Sequence, residues 1–492
     1  MGFQEGTSKS TDYTLFPVKK RDGTMSYYVS DFSEELGNSV YKGYKCILKS
    51  QEDIYLPRRI KKEEITIDQA QAVAIKIYNE GQHPSPYQFY TSEIAVLNIN
   101  GRSTLIMDLI DGFHIHPDAS DNPNIKTLTY PQIVDIAWQL VLGLNHLHYE
   151  NTSGPAIVHG DIKGENVKIR IKEINVDGTK QYKIDVLYLD IDYAKPITSR
   201  PQLSQGTPEH LALEVLDGYY SETSDFFALT PLLLSLFGAK NPLQKIIEFR
   251  NSNLEMEPAD LVKKYRDIDF CTDGLFSHFE KKPEPLIIKL VEKFINSMGE
   301  KNKQNRPSPD AILEFFTALR QLSLMSELNT DTDLHKLRLC IAAKDEHWLN
   351  QKKYVSLLVS LDENIQSRLI KLLSLEQLLQ FYKTLRKINE SPLLMEHLRK
   401  HVADHLSEQC NTIQPLSLIG SFFFSPVTRE ELQWLLNCYV HQNIVEFYSP
   451  QKEKLREKLI NCSETNLAPL ISIVIDGFDK PIDFKMNHSQ SR

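Results

Sequence analysis

The 492-residue sequence lacks any uninterrupted apolar run of the roughly 18 residues that a membrane-spanning helix requires. The best candidate starts at Phe226 and extends for only about 12 residues, which favours a buried core helix. Met1 to Ser10 contain no apolar stretch of the kind a secretory signal needs, so we expect no signal peptide. These absences predict a cytosolic protein without a membrane span.

The chain also has few cysteines and no excess of positive charge. The six cysteines include no Cys-x-x-Cys pair, which argues against both a disulfide framework and a structural zinc site. The chain has 56 Lys and Arg against 65 Asp and Glu, a formal net charge of -9. A nucleic-acid surface needs clustered positive charge, so no nucleic-acid partner is predicted. The 41% hydrophobic and 25% charged residues are typical of a folded globular chain.

Hydrophobic patterning divides the chain into a strand-rich beginning and a helical remainder. From Tyr130 to His148 the apolar residues recur at helical spacing, and Asp177-Gly178 between two strand-like runs predicts a hairpin over residues 167–189. Most of residues 220–322 again favours helix. Three early segments are rich in β-branched and aromatic residues and predict strands: Tyr27–Val29, Val40–Leu48 and Ala72–Tyr78.

Glycine almost disappears from the last part of the chain. After residue 323 it occurs only at Gly420 and Gly477, while leucines recur at helical spacing. Ser374 and Gln377 have the spacing of a helix capping box. Residues 323–492 are therefore predicted to form an all-helical domain.

Four polar residue types occur at fixed offsets after the predicted helix and before the predicted hairpin. Residues 159–166 have the order His-Gly-Asp-Ile-Lys-Gly-Glu-Asn. Phosphoryl transfer needs a carboxylate for the acceptor hydroxyl, a cation for the phosphoryl group and an oxygen ligand for Mg²⁺. The segment resembles the catalytic loop of eukaryotic-type protein kinases, with His159, Asp161, Lys163 and Asn166 retained.

Further motifs of that family follow one another in the family's order. Val73-Ala74-Ile75-Lys76 resembles the strand that carries the phosphate-contacting lysine, and Glu93 would pair with Lys76 from a helix. Residues 105–109 resemble the strand that leads into the hinge. Asp190-Ile191-Asp192 stands at the family's Asp-Phe-Gly segment. Nearer the carboxyl end, Gly206-Thr207-Pro208-Glu209, Ala212-Leu213-Glu214, Ser224-Asp225 and Arg306-Pro307 resemble the end of an activation segment and two structural positions that support it.

The resemblance extends over about residues 25–322 and implies a role for each matching position. Asp161 and Lys163 would be catalytic, and Asn166 and Asp190 would bind Mg²⁺. His159, Thr207, Glu214, Asp225 and Arg306 would be structural, and Arg306 would pair with Glu214. ATP would be bound by Gly37, Val40, Ala74, Lys76, Glu93, Met107, Asp108 and Leu109.

The implied fold class is α+β, a bilobal protein kinase fold followed by an all-α domain. The expected divisions are an amino-terminal extension (1–24), a β-rich N-lobe (25–110), a helical C-lobe (111–322) and the carboxyl-terminal helical domain (323–492).

The sequence departs from the family pattern in one loop and at three single positions. The glycine-rich loop is reduced to Leu36-Gly37 and Val40-Tyr41-Lys42-Gly43, without the glycines that let backbone amides approach phosphates. Gly160 replaces the catalytic-loop arginine, which suggests that activation-loop phosphorylation is not the switch. Asp192 replaces the glycine of Asp-Phe-Gly, and its carboxylate would either repel Asp190 or assist with the metal. Lys168 stands where an apolar residue normally lies under the adenine.

The leading hypothesis is an Mg²⁺- and ATP-dependent protein kinase. Lys163 and Thr207 favour serine or threonine over tyrosine as the acceptor. A pseudokinase or scaffold is the alternative, and a kinase of a small molecule or lipid is a third possibility. The irregular motifs and the appended helical domain also resemble the eukaryotic-like effector kinases that intracellular bacteria such as Legionella deliver into host cells. That resemblance implies a host protein as substrate, the host cytosol as compartment and residues 323–492 as a docking module.

Overall fold

The computed structural model describes most of the first 374 residues. The residues between 12 and 374 that lie outside the description are 21, 38, 51, 87–92, 100, 120–121, 150–154, 177–178, 199 and 326–330. Beyond residue 374 it describes 377–378, 380–381, 384–385, 434–435 and 453–455. The chain divides into two compact units, Met1–Leu324 and Met325–Arg492.

The first unit begins with an antiparallel sheet in the order β5-β1-β2-β4-β6-β8-β7, with β3 paired to β4. The strands are β1 (Asp12–Lys19), β2 (Met25–Ser30), β3 (Glu35–Gly37), β4 (Val40–Leu48), β5 (Arg58–Lys61), β6 (Ile65–Ile77), β7 (Glu93–Ile99) and β8 (Arg102–Asp108). All three segments predicted to be strands lie in or along this sheet, which confirms the strand-rich beginning.

Alternation along the strands places apolar side chains in two separate clusters. In β1, Leu15 packs with Val29 and Ile60, whereas the next residue, Phe16, packs with Tyr28 and Ile106. Both faces of this strand are therefore buried, and its apolar residues are consecutive rather than alternating with polar ones.

The remainder of the first unit is mainly helical. Its helices are α1 (Pro123–Lys126), α2 (Tyr130–His148), α3 (Glu222–Leu236), α4 (Gln244–Ser252), α5 (Pro258–Tyr265), α6 (Pro285–Met298) and α7 (Pro309–Leu324). A reciprocal capping box between Thr129 and Gln132 begins α2, and its apolar stripe is buried as predicted. In α3 every residue from Ser224 to Leu236 is buried, as expected of the apolar run that starts at Phe226.

Two short antiparallel pairs lie within this helical part. The predicted hairpin is confirmed as β10 (Val167–Val176) and β11 (Thr179–Tyr188), while its turn at Asp177-Gly178 lies outside the described residues. The hairpin packs on α2, where the Tyr188 hydroxyl donates to the Leu140 carbonyl at 2.7 Å. The second pair is β9 (Ile157–Val158) with β12 (Lys195–Pro196).

The described part of the second unit is helical, with α8 (Thr332–Ala342), α9 (Lys352–Ser360) and α10 (Glu363–Leu372). The predicted capping box is present, because the Ser374 amide donates to Gln377 Oε1 and the Gln377 amide donates to Ser374 Oγ. Most of the predicted all-helical domain lies outside the described residues. No helix in the described segments is both long and apolar enough to cross a bilayer.

The prediction of a helix at Glu93 is wrong. Glu93 begins β7 and pairs with Met107 of β8, so the residue belongs to the sheet. The sequence 93–99, Glu-Ile-Ala-Val-Leu-Asn-Ile, is rich in β-branched residues, and the neighbouring strand β8 supplies the hydrogen-bond partners.

Candidate active site

A cleft of about 660 Å³ contains most of the residues predicted to bind ATP. Strand register aligns its walls, because Lys76 of β6 lies between Val40 of β4 and Leu105 of β8. Two residues earlier on β6, Ala74 pairs with Met107. Of the predicted nucleotide and metal residues, Gly37, Val40, Ala74, Lys76, Met107, Asp108, Leu109, Asn166 and Asp190 line the cleft.

The turn above the cleft is shorter than a glycine-rich loop. β3 ends at Gly37 and β4 begins at Val40, so two residues join the strands. Gly43, which the sequence suggested as the end of the loop, instead lies within β4 opposite Val73. A Cβ there would lie 2.6 Å from Ile75 Cδ1, so packing of the sheet explains this glycine.

Lys168 and His114 form part of the cleft below the turn. The resemblance implied an apolar residue under the adenine at the position of Lys168, so this part of the cleft lining is charged instead. The His114 ring contacts the carbonyls of Gly164 and Val167, and thereby joins the catalytic-loop segment to the start of β10.

Lys76 faces two carboxylates. Its Nζ lies 2.7 Å from Asp190 Oδ1 and 2.7 Å from Asp192 Oδ2. Burial by itself lowers the pKa of Lys76, but the charges of Asp190 and Asp192 outweigh it and raise that pKa. Lys76 is therefore a cation at neutral pH, with both described partners coming from the segment predicted to bind metal.

Asp161 is buried at the centre of a hydrogen-bond network. Its Oδ1 accepts from the Thr207 amide at 2.8 Å and from the Thr207 hydroxyl at 2.7 Å. Its Oδ2 accepts from Asn166 Nδ2 at 2.9 Å and lies 3.1 Å from Lys163 Nζ. Lys163 Nζ also donates to the Thr207 hydroxyl at 3.1 Å, which closes the network. The sequence-predicted residues 161, 163, 166 and 207 are thus brought together.

The network controls the charge of Asp161. Burial raises the pKa of this carboxyl, but the Lys163 charge and the Thr207 hydroxyl act more strongly together and lower it. The carboxylate is therefore ionised at neutral pH, in the form that accepts a hydrogen bond from a hydroxyl.

Asp225 of α3 fixes the backbone that carries Asp161. Its Oδ2 accepts from the His159 amide at 2.7 Å and lies 3.0 Å from His148 Nε2, while its Oδ1 accepts from the Gly160 amide at 3.0 Å. His159 Nε2 lies 3.0 Å from the Leu189 carbonyl and is therefore the protonated ring nitrogen. His159 thus connects the catalytic loop to the residue before Asp190.

A buried ion pair holds the end of the activation segment. Arg306 Nη1 lies 2.6 Å from Glu214 Oε1 and its Nη2 lies 3.1 Å from Oε2, a bidentate arrangement. The guanidinium also lies over the Phe227 ring of α3, 4.7 Å from its centroid. The pair predicted from the sequence is present, and it joins this segment to the core of the helical lobe.

The donor set in the cleft fits Mg²⁺. The amide nitrogen of Asn166 donates to Asp161, which leaves its amide oxygen available to a cation, and Asp190 supplies a carboxylate. Within the described part of the chain, no cluster of three or more His, Cys, Asp or Glu is arranged to hold a metal. Mg²⁺ typically takes one or two protein carboxylates and completes its shell with water and substrate phosphates, so a small donor set is sufficient.

Sequence reasoning missed two neighbours of Asp192. The Tyr78 hydroxyl donates to Asp192 Oδ1 at 2.9 Å, and the Ser85 amide donates to the same oxygen at 3.5 Å. Tyr78 lies two residues after Lys76, and the alternation of a strand would have placed both on one face. No sequence signal connected either residue to Asp192, more than a hundred positions away.

Comparison with known families agrees with the geometry of the cleft. Residues 32–316, more than half of the chain, match the family model described as the protein kinase domain. The matched segment begins after β1 and β2. No curated protein matches the chain at a significant level.

Proposed function

Because the chain belongs to the protein kinase family, we propose that it transfers the γ-phosphate of ATP to a serine or threonine of a protein substrate. The observation that carries this proposal is the buried Asp161 carboxylate, which contacts Asn166, Lys163 and Thr207 while Asn166 also lines the cleft of Lys76 and Asp190. The residue proposed to bind the acceptor hydroxyl is thus in contact with a residue of the proposed nucleotide cleft.

Asp161 would orient the acceptor hydroxyl and take its proton. Its lowered pKa keeps it ionised, and four donor groups from Thr207, Asn166 and Lys163 hold the carboxylate in one orientation. Positioning and electrostatics dominate phosphoryl transfer, which suits a rigid and charged site. Lys163 would approach the phosphoryl group with its positive charge.

Lys76 would hold the triphosphate, and Asp190 and Asn166 would hold Mg²⁺. When bound, the metal ion supplies positive charge that neutralises the phosphate oxygens. Gly37, Val40, Ala74, Met107, Asp108 and Leu109 would enclose the rest of the nucleotide, since all of them line the cleft. The sequence assigned Glu93 to this site, but its place in β7 gives no support to that assignment.

Serine or threonine specificity rests on Lys163 and Thr207. Lys163 contacts both the Asp161 carboxylate and the Thr207 hydroxyl. The specificity itself is what the resemblance to serine/threonine kinases implies for these two residues. The measurement that addresses it offers peptides that are identical except for a serine, threonine or tyrosine acceptor. Transfer to tyrosine alone would contradict the proposed specificity.

The decisive experiment measures phosphate transfer by the purified full-length chain with ATP and Mg²⁺, read by mass spectrometry on a generic basic protein. Asp161→Asn is the matched control, because it keeps the shape of the side chain and removes its charge. We expect transfer by the wild type and a loss of about 10² to 10⁴ in rate in the variant.

Other outcomes favour the alternatives. Nucleotide binding without transfer to any protein would favour the scaffold, and transfer to small molecules alone would favour the third hypothesis. The bacterial-effector role, the host substrate and the docking function of residues 323–492 stay predictions that rest on the resemblance.

A further inference from the structure

Two aspartates compete for one lysine in the cleft, although the family pattern supplies only the first of them. Asp190 and Asp192 each lie 2.7 Å from Lys76 Nζ. With both carboxylates ionised, this group of three carries a net charge of about -1, which favours a nearby cation. The arrangement therefore has one carboxylate more than the lysine requires.

The surroundings of the two carboxylates differ. Asp192 Oδ2 contacts Lys76, while its Oδ1 accepts from the Tyr78 hydroxyl and the Ser85 amide. Its side chain is 18% exposed, against 31% for Asp190. Lys76 lies in β6 and Tyr78 directly follows that strand, so each carboxylate oxygen of Asp192 is bound by a residue in or next to β6.

Asp190 has the properties of a carboxylate that can exchange partners. Both aspartates line the cleft, but Asp190 is the more exposed of the two, and its described side-chain partner is Lys76 alone. A carboxylate that binds a divalent cation attracts a neighbouring lysine less strongly, because the positive charge of the metal offsets its negative charge. If Asp190 turns to a metal, Lys76 needs a second anion to remain oriented.

We propose that Asp192 is the acidic residue that positions Lys76 for the nucleotide, and that it thereby leaves Asp190 to the metal. The proposal rests on the function proposed above and adds a positioning residue to it. The sequence assigned the role of acidic partner to Glu93, whereas the second anion that contacts Lys76 comes from the segment after β11.

The test is a double-mutant cycle on the full-length chain, read as the Kd of Mg-ATP by calorimetry. Asp192→Asn keeps the shape and removes the charge, and it should weaken binding about tenfold, the effect of one charge-assisted hydrogen bond. In the Lys76→Met background the same substitution should change the Kd less than about twofold, because the partner through which Asp192 acts is absent. Asp192→Glu should recover part of the affinity.

A matched control comes from Asp185, which is 22% exposed and paired with Arg170 on the β10–β11 hairpin, outside the residues that line the cleft. Asp185→Asn should leave the Kd of Mg-ATP unchanged. Thermal unfolding of every variant shows whether a change in Kd reflects loss of the fold.

Three outcomes would overturn the proposal. The first is an unchanged Kd in Asp192→Asn. The second is an equal weakening with and without Lys76, which would assign Asp192 directly to the metal or the nucleotide. The third is a wild-type chain that does not bind Mg-ATP. Nucleotide binding without transfer would contradict only the proposed function, because the cycle is read on binding.

Discussion

At the scale of single residues, Thr207 decides how Asp161 and Lys163 lie relative to each other. Its hydroxyl donates to the carboxylate and accepts from the ammonium, so one oxygen orders an anion and a cation. The ammonium also pairs directly with the other carboxylate oxygen of Asp161, 3.1 Å away, so the Thr207 hydroxyl adds a second connection between the two charges. Together these contacts hold the carboxylate in one orientation.

Thr207→Val removes this bridge with little change in shape. We expect kcat to fall about tenfold or more, as for loss of a hydrogen bond to a charged group. The Thr207 hydroxyl also helps to lower the pKa of Asp161, so its removal raises that pKa. Because only the ionised carboxylate accepts the proton, the acidic limb of the kcat–pH profile should move to higher pH. Thr207→Ser keeps the hydroxyl and should keep the limb, and superimposable limbs in the valine variant and wild type would contradict this assignment.

Gly160 stands in the catalytic loop because of backbone conformation and space. Its φ is +78°, and a Cβ would lie 2.6 Å from the Tyr193 carbonyl oxygen. A left-handed conformation costs an ordinary residue about 1–2 kcal/mol, and the contact adds to that cost. An arginine at this position would require both the loop and the Tyr193 backbone to move.

Gly160→Ala should therefore destabilise the fold more than Gly23→Ala. Gly23 has a similar φ of +86° but open space around its Cβ position, so the comparison isolates the contact. We expect the difference to be about 1–3 kcal/mol, measured from the urea midpoints of the two variants. Equal midpoints would show that Tyr193 moves aside at little cost.

At the scale of elements, side-chain hydrogen bonds hold the activation segment. The Tyr220 hydroxyl accepts from the Gln205 amide at 2.7 Å and also contacts the Gln205 and Leu203 carbonyls. Lys195 Nζ donates to the Leu203 carbonyl at 2.6 Å and to Gln205 Oε1 at 2.8 Å. These contacts order the approach to Thr207 without any added charge.

Gly160 in place of the catalytic-loop arginine predicts that activation-loop phosphorylation is not the switch. Replacement of Thr198, Ser199 and Ser204 by alanine should therefore leave kcat within about twofold of wild type. Tyr220→Phe should lower kcat about tenfold, because it removes the hydroxyl that joins Gln205 and Leu203. Steady-state rates on one peptide substrate compare the two. A collapse of activity in the alanine variant would instead identify phosphorylation as the switch.

Elements whose formation depends on nearby residues in the sequence were predicted, whereas some that depend on pairing with other strands were not. Helix α2, its buried stripe and the β10–β11 hairpin were predicted, because their periodicity and turn residues are local. β7 was not, since a strand depends on pairing with β8, and the resemblance favoured a helix at Glu93. Gly43 was assigned to a phosphate loop, while its close packing on Ile75 depends on β6.

At the scale of the whole molecule, the chain consists of two compact units, and the family match covers only the first of them. The family match lies wholly within Met1–Leu324, and β1 and β2 precede it. These two strands extend the sheet, and side chains on both faces of β1 are buried, so the strands belong to the core of the first unit. The match to a kinase domain does not extend to the second unit, Met325–Arg492.

A chain that ends at Leu324 tests what the second unit does. If that unit recruits a substrate, the truncated chain should keep its kcat/KM on a generic peptide within about twofold and lose about tenfold or more on the natural target. Parallel assays on both substrates measure the difference. Equal losses on both would argue against recruitment and for a structural contribution to the kinase domain.

The sequence by itself determined which chemical groups are present and in what order: the Val-Ala-Ile-Lys strand, the His159–Asn166 loop, Asp190, and the late Arg306 with its partner Glu214. Residue types at short, fixed spacing encode these features, and they can be recognised without coordinates. Only the tertiary structure decided which of the groups meet. Lys76 contacts both Asp190 and Asp192, and the Tyr78 hydroxyl donates to Asp192. Glu93 lies in the sheet. The contacts of Lys76 and Tyr78 with Asp192 join residues more than a hundred positions apart, and their geometry depends on how the sheet packs against the segment that follows β11.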